Sequence, residues 1–356
     1  MAKFGKHGAA LVIMAAIIAV LLMLCTPRST SKSSAVGAPM SLLEQIPSRA
    51  DPREVRVLVL SFDPIIRGKD VPAHQAFGLN DPHRLAQDYT GTVLNASSGR
   101  MRYHIVDWRD VREIPRKRDG FQYTAESYAT CLTSHGACHQ PDGADYEAIL
   151  ERHGVHALIN SRAIDEVWLF GGPYFGFYES AMAGPGAFDI NGGAFPDVKT
   201  NRAFAIMGFS YERGVAEMLH NLCHRVEATM SKVYGGWAAE SLTTNWARFA
   251  ANATQTGGRA GVGSCHYPPN ATKEYDYENE RTVESDAEDW LEYPNLSGRR
   301  GPIAAYSWGG SDYHRSYMVW WLAHLPRIDT IAPDGKLANW WSYVVHFDSL
   351  VVARPG

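Results

Sequence analysis

The sequence predicts an α/β protein built on a mainly parallel sheet, followed by a helical, tryptophan-rich C-terminal lobe. Three observations carry this expectation. Short runs rich in β-branched residues alternate with helix-like segments between residues 53 and 230, an order that makes successive strands parallel. The segment from Tyr211 to Glu227 divides at 3.6 residues per turn into one apolar and one polar face. The last third concentrates Trp290, Trp308, Trp320-Trp321 and Trp340-Trp341. With 356 residues, of which 45% are hydrophobic, the chain can bury a large core, and its length suggests about two domains.

Residues 1–40 stand apart from the fold. Lys3 and Lys6 precede an uncharged apolar run from Ala9 to Cys25, which gives way to Arg28 and a serine-rich linker. This is the pattern of a signal peptide or a membrane anchor. The nearest small-residue cleavage site, Ala35-Val36-Gly37, lies about ten residues beyond the apolar core, which favours an uncleaved anchor. Either reading makes the membrane a partner through this segment and places the rest outside the cytoplasm. The net charge of −4 offers no nucleic-acid surface.

The folded part divides into an α/β domain over 41–236 and a mostly helical, loop-rich lobe over 237–356. Glu54–Phe62 reads as a buried strand between Pro52 and Pro64. Asp81-Pro82 supplies an N-cap and a proline at the first helical position, predicting a helix to about Asn95. Met101–Trp108 alternates as a second strand, and Asp145 caps a helix through His153. Asp165–Gly172 is a third strand. Residues 173–200, rich in Gly and Pro, read as a long irregular segment; Phe204–Phe209 is a short, edge-like fourth strand.

The four cysteines beyond the apolar segment form an even set, as expected in an oxidising compartment. Cys131 and Cys138 enclose a short glycine-containing loop and are expected to pair, which leaves Cys223 and Cys265 for each other. On the 211–227 helix, Glu217, His220, His224 and Glu227 fall at offsets 0, 3, 7 and 10, within about a quarter of the circumference. Imidazoles at i and i+4 can reach one zinc ion from a single helix.

This layout, with a short strand feeding a helix that carries His-x-x-x-His, resembles the zincin metallopeptidase half-domain over roughly residues 53–230. Asp165-Glu166-Val167-Trp168, His266-Tyr267-Pro268-Pro269-Asn270 and Trp320-Trp321 are also similar to a family of secreted microbial proteins of unassigned activity. The zincin resemblance implies zinc on His220 and His224 and a glutamate general base directly after the first histidine. Asn221 occupies that position, and an amide does not accept a proton at neutral pH.

A third metal ligand must come from elsewhere. Glu240 lies sixteen residues after His224, near the separation used by one zincin branch. His266 is the other candidate, because a Cys223–Cys265 bond would bring it beside His224. Glu217 is the expected base, with Glu227 as a second catalytic carboxylate or an imidazole partner. These residues point to a metal-dependent hydrolase acting on peptide. The alternatives are an inactive zincin relative, or a glycan-binding or glycan-cleaving protein. The glycan reading uses the tryptophans, since adjacent Trp residues are not expected both to face inward. The acidic stretch Tyr275–Asp289 lacks calcium-loop spacing and reads as a solvated loop.

Overall fold

The computed structural model describes residues 51, 53–134, 138–237 and 241–350; the N-terminal apolar segment and Glu240 lie outside them. Strand β1 (Glu54–Phe62) runs into a small hairpin, β2 (Ile65–Ile66) and β3 (Val71–Pro72), and a short helix, α1 (Ala73–Ala76). Helix α2 (Pro82–Ala96) leads to β4 (Arg102–Val111), and helices α3 (Ala125–Ser134), α4 (Tyr146–Arg152) and α5 (Val155–Asn160) precede β5 (Glu166–Gly171). Strands β6 (Ser180–Ala183) and β7 (Phe204–Ser210) then feed helix α6 (Val215–Tyr234).

Five strands form the sheet in the order β4-β1-β5-β7-β6. The first four are mutually parallel and β6 is antiparallel to β7. The alternation of each strand divides its side chains between two cores. Val55, Val57, Val59, Trp168, Phe170, Met207 and Phe209 face α2 and α6, whereas Leu58, Leu60, Val167, Leu169, Phe204 and Ile206 face α4 and α5. Local rules account for the helix starts. The Asp81 carboxylate accepts from the amides of His83 at 2.8 Å and Arg84 at 3.2 Å, and Asp145 accepts from Ala148 at 3.1 Å. Helix α6 stops at Gly235, whose φ of +81° is the left-handed cap that glycine adopts freely.

Three expectations change. The stretch 173–200 contains a strand after all: Ser180–Ala183 has no β-branched residue, and its register against Phe204–Met207 holds it in the sheet. That makes β6 the edge and β7 an interior strand. The helix capped by Asp145 closes at His153 as expected, but Gly154 at φ +65° then turns the chain into a second short helix that the sequence did not suggest. Both residues of the Trp340-Trp341 pair are buried, because the short helix they open lies within the hydrophobic core. Trp340 alone contacts the rings of Tyr234, Trp246, Phe249, Trp290 and Tyr293. In Trp320-Trp321 the expected division holds, with Trp320 half-buried and Trp321 buried.

Beyond residue 236, loops dominate over helices: among the described residues there, α7 (Asn245–Phe249), α8 (Tyr313–Ala323) and α9 (Trp340–Val345) are short and only α8 exceeds two turns. The loops are held by internal side chains. Asp286 accepts from Trp290 Nε1 at 2.9 Å, Asp289 from the Gly298 amide at 2.7 Å, and Asp276 from Asn279 Nδ2 at 2.7 Å. These carboxylates of the acidic stretch are therefore buried acceptors rather than solvated charges. Among the described residues no helix is long and apolar enough to cross a membrane.

Helix α6 is fastened to the sheet by a buried ion pair. Arg225 Nη1 donates to Glu166 Oε2, Arg225 Nη2 donates to the Val344 carbonyl at 3.0 Å, and Trp168 Nε1 donates to Glu166 Oε1 at 2.8 Å. Removing one partner leaves the other charge buried and unmatched. Glu166→Ala is expected to lower unfolding free energy by about 3–5 kcal/mol, and Glu166→Met with Arg225→Met to recover most of that loss. Equilibrium urea unfolding measures both; a near-neutral Glu166→Ala would contradict the assignment.

Candidate metal centre

The polar face of α6 meets a loop that arrives from far along the chain. His220 and His224 project from successive turns, and His266 enters from the segment after α7. Their Nε2 atoms converge: His220 to His224 is 2.9 Å and His220 to His266 is 3.2 Å. Tetrahedral zinc with Zn–N bonds of ~2.0–2.1 Å would hold ligand nitrogens about 3.3–3.4 Å apart. The three histidines therefore have the composition and spacing of a three-nitrogen metal site. His220 Nε2 faces the two other ring nitrogens, and its Nδ1 faces His314 Nε2 at 3.2 Å. Burial, then the neighbouring His224, His314 and His266, push the His220 imidazole down to about 2, so it is neutral.

The far side of His224 is held by Glu227. Glu227 Oε2 lies 3.2 Å from His224 Nδ1, while its Oε1 accepts the Cys265 amide at 2.7 Å. Burial would lower His224, but the Glu227 carboxylate outweighs it and raises the imidazole. One carboxylate thus orients a ligand and ties the His266 loop to the helix. The loop is fixed at several carbonyls. Tyr277 donates to Cys265 O at 2.8 Å, Tyr317 to Ser264 O at 2.9 Å, and Trp321 Nε1 to Gly263 O at 2.9 Å. Gly263 takes φ +84° with the Tyr267 carbonyl 2.4 Å from where a Cβ would sit, so a larger residue would push the loop away.

The remaining predicted residues have other placements. Glu217 turns back to accept the Gly214 amide at 3.2 Å, capping the helix, and lines a neighbouring cleft. Asn221 Nδ2 donates to the Gly208 carbonyl at 2.8 Å, fastening α6 to β7. A second group, His224, Glu227 and Cys265, also has metal-ligand spacing. It reuses the carboxylate that already holds His224 and the Cys265 amide.

Three site residues were missed or left unjoined. Glu179 Oε2 lies 3.8 Å from His224 Nε2, on the side that α6 leaves open. It sits within the stretch expected to be irregular, where no periodicity marks it. Tyr275, at φ +59°, brings its hydroxyl 3.2 Å from His266 Nε2. His314 was visible only as a titratable group at the head of a helix, joined to nothing. The cleft beside the histidines, about 370 Å³, is lined by Glu179, Glu217, Arg213, Asn221 and Tyr174 among others. No protein-family model matches the chain, and no curated protein or solved structure matches it either.

The cysteines divide unequally. Cys131 and Cys138 form a disulfide, a cross-link that persists in oxidising compartments. The expected Cys223–Cys265 bond is absent: both are free, buried thiols, with Cys223 Sγ 3.4 Å from Met318 Sδ. The Glu227 carboxylate, not a disulfide, binds the His266 loop to α6. A non-reduced digest should therefore yield the Cys131–Cys138 cross-link and leave Cys223 and Cys265 to label only after unfolding. A Cys223–Cys265 cross-linked peptide would show the assignment to be wrong.

Proposed function

We propose that the protein is an extracytoplasmic metal-dependent hydrolase of zincin-like layout, its ion held by Nε2 of His220, His224 and His266. The observation that carries this reading is the convergence of those three nitrogens, with His220 buried and His224 and His266 half-buried. The mostly parallel sheet packed against the histidine helix supports the zincin likeness. The disulfide supports a location outside the cytoplasm, reached through the N-terminal apolar segment as anchor or secretion signal. Zinc bound by three protein ligands with a fourth position open supplies Lewis acidity, bringing water to a pKa near 7 and polarising a substrate carbonyl.

In this reading the proton-accepting role passes to Glu179. Asn221 is an amide engaged with the sheet, Glu217 caps its own helix, and Glu227 supports His224. Glu179 alone among these carboxylates stands within 4 Å of a ligating Nε2, at 3.8 Å. Substrate recognition rests on side chains of the cleft. The outer edge of β6 is already covered, with Gly192 N donating to Ser180 O at 2.8 Å and Phe195 N to Met182 O at 2.9 Å. An extended peptide would find no free strand edge there. The glycan alternative loses the Trp340-Trp341 pair, both of which are buried, and keeps the half-buried Trp320.

Elemental analysis of the purified full chain is expected to find about one zinc per chain, as in other three-ligand catalytic sites, and His220→Ala, His224→Ala and His266→Ala each to lose it. Wild-type protein that stays metal-free after zinc reconstitution would sink the proposal. Glu179→Gln should keep the zinc and cut turnover on a mixed ester and peptide library by about 100-fold or more. Full activity in Glu179→Gln would return the base role to Glu217. Zinc without any turnover in wild type would favour an inactive relative that retains the site.

A further inference from the structure

His314 makes the one polar contact to the back of His220 among the described residues, from an element with no other part in the centre's chemistry. We propose that His314 is a positioning residue: it accepts a hydrogen bond from His220 Nδ1–H and so holds His220 in the tautomer whose Nε2 lone pair faces the ion. The inference rests on the metal-centre reading above. A metal-ligating imidazole needs its second nitrogen satisfied as a donor, because that bond sets both the tautomer and the ring orientation. Each ligand here has a different partner. His224 Nδ1 has Glu227 at 3.2 Å, His266 Nδ1 has Glu274 at 3.9 Å, and His220 Nδ1 has His314 Nε2 at 3.2 Å. His220 is only 6% exposed, so water is a poor substitute.

The surroundings fix His314 for that task. Asp312 caps α8 by accepting the Arg315 amide at 2.9 Å, which sets His314 in the first turn facing α6. Its ring stacks on Tyr277 with centroids 4.9 Å apart and planes within 4°. Tyr277 in turn donates to the Cys265 carbonyl, so the ring that orients His314 also holds the His266 loop. Further along α8, Tyr317 and Trp321 hold the carbonyls of Ser264 and Gly263. A single helix of the C-terminal third therefore positions two of the three ligands: His220 through His314, and His266 through the loop it grips.

The test compares the full chain with its His314→Ala and His314→Gln variants by zinc competition against a chromophoric chelator, and by visible spectra after cobalt(II) substitution. His314→Ala is expected to weaken zinc binding by about 10–100-fold and to alter the cobalt spectrum. His314→Gln, which offers a carbonyl acceptor, is expected to recover most of the affinity; melting of the zinc-free proteins checks that both variants fold. Wild-type affinity in folded His314→Ala overturns the inference and leaves the zinc site standing. Equal losses in the two variants also overturn it, since a stacking or volume effect would then account for the change. A wild-type chain that binds no zinc removes the centre itself, and this inference with it.

Discussion

The buried pair of Arg225 and Glu166 is the constraint on which the arrangement of this protein depends. Each is at most 1% exposed, one on the helix that carries the histidines and the other on the central strand of the sheet. Two charges removed from water are tolerated only when paired and hydrogen-bonded, so the contact specifies how α6 lies across β5. The indole of Trp168 and the carbonyl of Val344 add further hydrogen bonds to the pair. Arg225 directly follows His224, about 100° around the helix, so fixing the inward face also fixes the direction of the imidazoles. Asn221 adds a second attachment, to Gly208 of β7. The residue directly after His220 thus has a structural role of its own.

The site is assembled from parts of unequal rigidity. Two of its histidines ride on a 20-residue helix buried along one side, whereas the third comes from a loop with little regular structure. That loop is held because its carbonyls and amides meet side chains: Glu227 from α6, Tyr317 and Trp321 from α8, and Tyr277 from the loop region itself. Buried backbone groups without secondary structure require such partners, and here the partners also place a ligand. The tryptophan-rich C-terminal third has its role in this packing. Its aromatic rings build the core on which α6 and the His266 loop rest, which explains why so many are buried.

Much of this was legible in the residues. The β1 and α2 boundaries, the caps at Asp81 and Asp145, and the polar face of α6 follow from local rules that act over one or two turns. The Cys131–Cys138 bond followed from a short loop closure. Other features depended on partners distant in sequence. Strand β6 has no strand-like composition and exists through its pairing with β7. Glu179 precedes it and reaches His224 only because that pairing sets its position. Cys223 and Cys265 looked paired by elimination, yet both are free buried thiols, with Cys223 packed against Met318.

By itself the sequence determined the α/β character, the histidine pair at i and i+4, and the candidate status of His266. Each is a matter of periodicity, composition or residue chemistry within a short window. The tertiary structure decided which carboxylate faces the nitrogens, which ones support them, and that His314 closes the centre from behind. Side-chain direction at those positions is set by contacts across 38 to 94 residues of chain, as between Glu227 and Cys265 or His220 and His314. Local propensity carries no information over such separations, because the contacts arise from burial and from the need to pair buried polar groups.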